Sequence, residues 1–177
     1  MKDFTDKRWI TTDTELRNLL QQCRNCYSST LKGTLVLPYN EMETLNVSKL
    51  KYTLIINTNN VDSNTSSVGH WIVCHVNVLS KIVLLHDSLN EIEKCHPKVI
   101  LNIQSYCKKR NLKLYILKFR TQEKKNLNCG LHSLWFTHKS HKYNSNALMK
   151  MKKIFDPYTV IEREHFIMNE TLSVFKI

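Results

Sequence analysis

Two runs of apolar and β-branched residues, His70 to Val78 and Ile82 to Asp87, lie so close in the chain that the simplest structure joining them is an antiparallel hairpin. In the first run His70, Ile72, Cys74, Val76 and Val78 alternate with Trp71, Val73 and His75, so the strand presents two distinct faces. A tight turn centred on Val78 and Leu79 pairs residues whose numbers sum to 157, which sets His70 opposite Asp87. Directly opposed residues point to the same face with Cβ atoms about 4.5–5.5 Å apart. The hairpin therefore predicts an imidazole and a carboxylate side by side at its open end.

The rest of the chain supplies elements around that hairpin. Residues 13–22 carry Leu16, Leu19 and Leu20 at helical spacing behind a Thr12 or Asp13 cap. Tyr52 to Asn57 reads as a buried strand, and the polar stretch from Thr58 to Gly69 as a loop leading into His70. Pro97 to Arg110 reads as a helix with Pro97 in its first turn, and Leu112 to Phe119 as a further strand. A polar loop with Gln122 comes next. Leu131, Leu134 and Trp135 then recur at helical intervals, which places Cys129 at a helix N-terminus. There the free amides and the helix dipole favour a thiolate, and Gly130 lets a substrate backbone approach closely.

A cysteine nucleophile needs a base, an acid to orient that base, and donors aimed at the developing oxyanion. His70, Asp87, Gln122 and Cys129 are the candidates for catalysis. Each has an ordinary alternative: a core histidine, a turn carboxylate capping the next segment, a solvated loop amide, a buried thiol before a turn. The combination in this order is what points to chemistry. His75, His86, His96, His132, His138, His141 and His165 have no such company and read as structural or surface residues.

Composition limits what the site is built on. At 177 residues with 42% hydrophobic content, and with no linker, repeat or low-complexity tract, the chain is expected to form a single domain, 1–177. It shows no apolar signal region and no membrane-length stretch, so an intracellular protein without membrane contact is expected. The six cysteines are then expected to be reduced, and the sequons at Asn46, Asn64 and Asn169 to be chance. The Cys23 and Cys26 pair is at most half a zinc site, so no metal is expected. A net charge of +11, with runs such as Lys108-Lys109-Arg110 and Lys150-Met151-Lys152-Lys153, predicts salt-dependent attraction to polyanions.

His-Trp after a polar loop, an acid at the end of the next strand, a Gln, and Cys-Gly opening a helix resemble adenain, the adenovirus maturation protease. They also resemble its relatives in adenovirus-like viruses and virus-like transposons and, more distantly, the proteases that deconjugate ubiquitin-like proteins. The spacings of 17 residues from His70 to Asp87 and 7 from Gln122 to Cys129 agree with adenain; the deconjugases usually place the Gln one residue closer. The resemblance covers roughly Thr14 to His141.

It implies an α+β, papain-like/adenain-like cysteine protease fold, a central mostly antiparallel sheet flanked by helices, with the nucleophile at a helix N-terminus. It implies Cys129 as nucleophile, His70 as general base and acid, Asp87 as orienter, and the Gln122 amide with the Cys129 N–H as oxyanion hole. It further implies cleavage of viral precursor proteins near Gly or small residues during particle maturation, in the virion and host nucleus, by a monomer. The chemistry requires no cofactor, but DNA and a short activating peptide stimulate adenain. Three departures stand out. Asp87 replaces the Glu of the adenovirus enzymes. Asn111 occupies the place of the cysteine that bonds the peptide, with Cys107 near it. The tail beyond His141 matches poorly and carries no assignment. A ubiquitin-like-protein deconjugating isopeptidase and a non-catalytic nucleic-acid-binding scaffold are the alternatives.

Overall fold

A computed structural model describes residues 12–26, 33–59 and 69–175. Five strands form one sheet in the order β1-β2-β3-β4-β5: Thr34–Pro38, Lys51–Asn57, Trp71–Asn77, Ile82–His86 and Lys113–Ile116. The two central pairings, β2 with β3 and β3 with β4, are antiparallel. The two outer ones are parallel, so the sheet is antiparallel only at its centre. The outer pairings are parallel because the chain crosses over before each: through a 3₁₀ turn, Tyr39–Thr44, between β1 and β2, and through helices α2 (Ile92–Cys95) and α3 (Pro97–Lys109) between β4 and β5.

The alternation read along the hairpin survives as two cores rather than one wet and one dry face. Trp71 and Val73 of β3 join Ile55 and Leu84 in a core built with Leu16 and Leu20 of α1 (Asp13–Cys26) and with Leu131, Leu134 and Trp135 of α4 (Cys129–Lys142). Ile72, Cys74 and Val76 face the opposite way and pack with Val99, Ile100 and Ile103 of α3. Every residue of β3 is buried. The chain closes with α5 (Ser145–Met149), α6 (Met151–Phe155) and α7 (Val160–Phe175), whose Phe155, Ile167 and Met168 belong to the α1/α4 core. The tail beyond His141 is therefore part of the fold.

Thr12 is the cap of α1: its Oγ1 accepts the Glu15 N–H at 3.2 Å while the Glu15 carboxylate accepts the Thr12 N–H at 3.0 Å. β5 is shorter than the strand expected from the sequence: the Leu117 N–H still reaches the Leu85 carbonyl at 2.9 Å, and the chain beyond it leads toward Gln122. Asn111, in the place of the peptide-bonding cysteine, has φ +53 and ends α3 in the left-handed conformation that asparagine tolerates. Cys74, Cys95, Cys107 and Cys129 are free thiols, and the side chains of Cys23 and Cys26 lie outside the described residues. Among the described residues no helix is long and apolar enough to cross a membrane.

Candidate active site

The hairpin register differs from the one its sequence suggests. Val73 pairs with His86 and Asn77 with Ile82, so paired numbers sum to 159 and the connection is the longer turn 78–81. The turn is longer because the Asn77 Oδ1 accepts the Ser80 N–H at 3.2 Å and Lys81 takes a left-handed conformation, φ 54. Continued by one step, this register sets Asp87 beside Ile72, with His70 on the diagonal. A slip of two residues preserves the face on which each side chain lies, because the pleat repeats every two. His70 Nε2 and Asp87 Oδ1 are accordingly 2.6 Å apart despite the altered pairing.

Each partner is held from the backbone as well. Asp87, 2% exposed, accepts the Leu89 N–H on Oδ1 at 3.0 Å and the Glu91 and Ile92 N–H groups on Oδ2 at 2.7 and 2.8 Å. It accepts amides at the start of α2 and holds His70 at once. The His70 main chain is locked to the end of β2: its N–H donates to Thr58 Oγ1 at 3.0 Å and its carbonyl accepts the Thr58 N–H at 2.9 Å.

With Nε2 committed to Asp87, Nδ1 is the ring nitrogen of His70 left for Cys129, whose charge acts on the imidazole. Burial opposes charge on His70, but the bond to Asp87 and the nearby Cys129 outweigh it and raise the imidazole pKa to about 10. Burial likewise opposes charge on Asp87, yet the His70 bond and the Glu91 and Leu89 amides bring it down to about 2. Cys129, 7% exposed, is the first residue of α4, and its N–H is among the first-turn amides that have no acceptor within a helix.

Gln122 is 1% exposed rather than solvated. Its Nε2 donates to the Asn126 carbonyl, which can only accept, so the amide orientation is settled and Ser88 Oγ donates to Oε1 at 2.6 Å. The Ser88 carbonyl also accepts the Thr121 and Gln122 N–H groups at 2.9 and 3.0 Å. Ser88, adjacent to Asp87, thus ties the acid to the Gln122 loop. The second Nε2 hydrogen of Gln122 is left over from this arrangement.

Two histidines read as structural or surface residues stand beside the site. The His96 ring stacks on His70 with centroids 6.2 Å apart and an interplanar angle of 17°. His132 Nδ1 is 3.1 Å from Thr121 Oγ1, next to Gln122. Sequence reasoning missed Ser88, Thr58 and Asn126, which are common polar loop residues whose partners lie elsewhere in the chain. No group of His, Cys, Asp and Glu suited to a metal occurs among the described residues.

No protein-family model and no curated protein matches the sequence. The architecture is that of the Ulp1/adenain-type cysteine proteases. ChlaDUB1, an effector protein of Chlamydia trachomatis, superposes with a TM-score of 0.61 at 10% identity over 96% of this chain and 85% of that one. The SUMO protease Ulp1, with its catalytic cysteine oxidized to a sulfinic acid, gives 0.50 at 14% identity over 96% and 81%. HopZ1a in complex with IP6 gives 0.55 at 12% identity over 77% of this chain and 46% of its own, so the chain spans about half the length of that protein.

Proposed function

We propose that the chain is a cysteine peptidase in which Cys129 is the nucleophile, His70 the general base and acid, Asp87 its orienter, and Gln122 with the Cys129 N–H the oxyanion hole. The observation that carries this reading is one imidazole hydrogen-bonded to a buried carboxylate at 2.6 Å, with its other ring nitrogen left for Cys129, a thiol at a helix N-terminus that interacts with it electrostatically. The Cys129 proton passes to His70, and the thiolate adds to the scissile carbonyl carbon. The free Nε2 hydrogen of Gln122 and the Cys129 N–H receive the oxyanion. His70 then gives its proton to the leaving amine as the C–N bond breaks, leaving a thioester. Water, deprotonated by His70, adds to the thioester, and the acid departs with Cys129 restored.

Resemblance to the adenovirus maturation proteases supports viral precursor proteins as substrates, cut near Gly or small residues. A second reading, removal of a ubiquitin-like protein from its conjugates, is favoured by the fold shared with ChlaDUB1 and Ulp1 and by an exposed apolar surface at Tyr143, Ile154, Tyr158 and Phe166. The net charge of +11 supports a polyanionic partner, DNA by resemblance or an inositol phosphate such as the IP6 bound to HopZ1a.

The test is hydrolysis of a Gly-containing peptide library and of C-terminal Gly-Gly conjugates by wild type and Cys129→Ala, with and without DNA or IP6 at rising salt. Cleavage by wild type alone is expected, and the preferred substrate decides between the two readings. Stimulation that fades with salt is expected of a polyanion partner. Cleavage retained in Cys129→Ala would move the nucleophile elsewhere.

A further inference from the structure

We propose that Glu164 of α7 is a positioning residue for the oxyanion side of the site, holding the loop 123–128 so that the Gln122 amide and the Cys129 N–H converge on one point. The inference rests on the roles given to Gln122 and Cys129 above. Glu164 is 3% exposed and lies beyond His141, where the sequence resemblance is poor. Its Oε2 accepts the Glu123 N–H at 3.0 Å and the Asn126 Nδ2–H at 2.8 Å, and its Oε1 accepts the Asn128 Nδ2–H at 3.1 Å.

These three donors are not scattered. Glu123 comes directly after Gln122; Asn126 offers the carbonyl that takes the Gln122 amide; Asn128 precedes Cys129 at the N-cap position of α4. One carboxylate therefore grips both ends and the middle of the span joining the two oxyanion donors. A buried charge is unfavourable unless it is hydrogen-bonded, and here three donors meet two oxygens that only accept. His132 Nε2 is 3.8 Å from Oε1, beyond hydrogen-bond length, and His132 is the titratable group of α4 that faces the carboxylate. Arg163, the preceding residue, donates to the Arg120 carbonyl at 2.9 Å, so α7 also anchors the loop upstream of Gln122. A glutamine has the same shape but a single acceptor oxygen, and it turns an N–H toward groups that themselves donate.

The experiment compares Glu164→Gln with wild type, Gln122→Ala and the double variant. Glu164→Gln is expected to lower kcat about 10- to 100-fold with KM changed by no more than about threefold, because the lost contact acts in the transition state. Alkylation of Cys129 by iodoacetamide, which needs no oxyanion donor, is expected to stay within about twofold of wild type. In the Gln122→Ala background Glu164→Gln is expected to add little, since the two act through one element. Independently of turnover, hydrogen exchange at Glu123 and across 126–130 is expected to accelerate.

A kcat within twofold of wild type, a full additive loss in the double variant, or unchanged exchange across the loop would each overturn the proposal. Asn128→Ala, which removes one of the three donors and keeps the charge, serves as the milder variant if Glu164→Gln does not fold; its kcat is expected to fall as well, and an unchanged value overturns the proposal. If wild type cleaves nothing while the exchange still accelerates, the positioning stands and the peptidase reading fails instead.

Discussion

Asp87 and Ser88 show how much adjacent residues do in this site. Asp87 receives three backbone amides and His70, which holds the carboxylate rigidly and keeps it ionised. Ser88 receives two amides on its carbonyl and sends its hydroxyl to Gln122. In the proposed oxyanion role the Gln122 amide must be turned with Nε2 toward the substrate, and the Ser88 hydroxyl donating to Oε1 favours that turn. Ser88→Ala is expected to lower kcat about tenfold with KM nearly unchanged, against the 10²- to 10³-fold loss expected for Gln122→Ala. Steady-state kinetics on one cleavable peptide checks both. A rise in KM at constant kcat in Ser88→Ala would show that the hydroxyl serves substrate binding instead.

At the scale of elements, the site hangs on the junction of β2 with β3. Thr58 at the end of β2 takes both main-chain groups of His70, and Asn57 packs against Gly69 so closely that an added Cβ would stand 1.9 Å from its Oδ1. The Gly69 backbone is not left-handed, so the requirement for glycine is one of space. Gly69→Ala must expel the Asn57 side chain, which also accepts the Asn59 N–H at 2.9 Å. The substitution is expected to destabilise by about 1–3 kcal/mol and to lower kcat/KM at least tenfold by displacing His70. Asn57→Ala in the same chain is expected to restore much of both, because it vacates the space. Thermal melts and peptide kinetics on the single and double variants test this; no rescue would mean that the collision is with other atoms.

For the whole molecule, the buried histidines set the response to acid. Burial keeps His75 and His141 neutral, with pKa values lowered to about 4, and His86, in a cage of Phe119, Trp135 and Phe136, lowered to about 3. The unfolded chain binds these protons near pH 6.5 and the native one does not. Their contribution is present above that pH and is lost as pH falls toward 4, at up to about 1.4 kcal/mol per pH unit for each group. His70 has the opposite sign: with its pKa raised, it stabilises fully below about pH 6.5 and less as pH climbs toward 10. Asp87 adds stability above about pH 4 and loses it toward pH 2. Stability is expected to peak near neutrality and fall steeply by pH 5. A thermal midpoint at pH 5 equal to that at pH 7, in a scan from pH 4 to 10, would contradict this.

What the sequence determined by itself is part of the set of local elements and, with the resemblance, the four candidate site residues. Periodicity marked α3, α4 and the β3/β4 hairpin, because burial on a helix or strand repeats with its own geometry. His70, Asp87 and Cys129 were legible because each falls at the end of such an element, and Gln122 because of its spacing from Cys129. Two decisions were left to tertiary structure. The register of the hairpin came from how Asn77 and Lys81 shape the turn, and the face survived only because the slip was even. The support of the site, Ser88, Thr58 and Glu164, was invisible, since an acid on a helix is ordinarily solvated and nothing local marks Glu164 as buried. Its role exists only where α7 packs beside the loop 123–128, because a hydrogen bond between residues some 40 apart depends on the path of the whole chain rather than on the pattern of either segment.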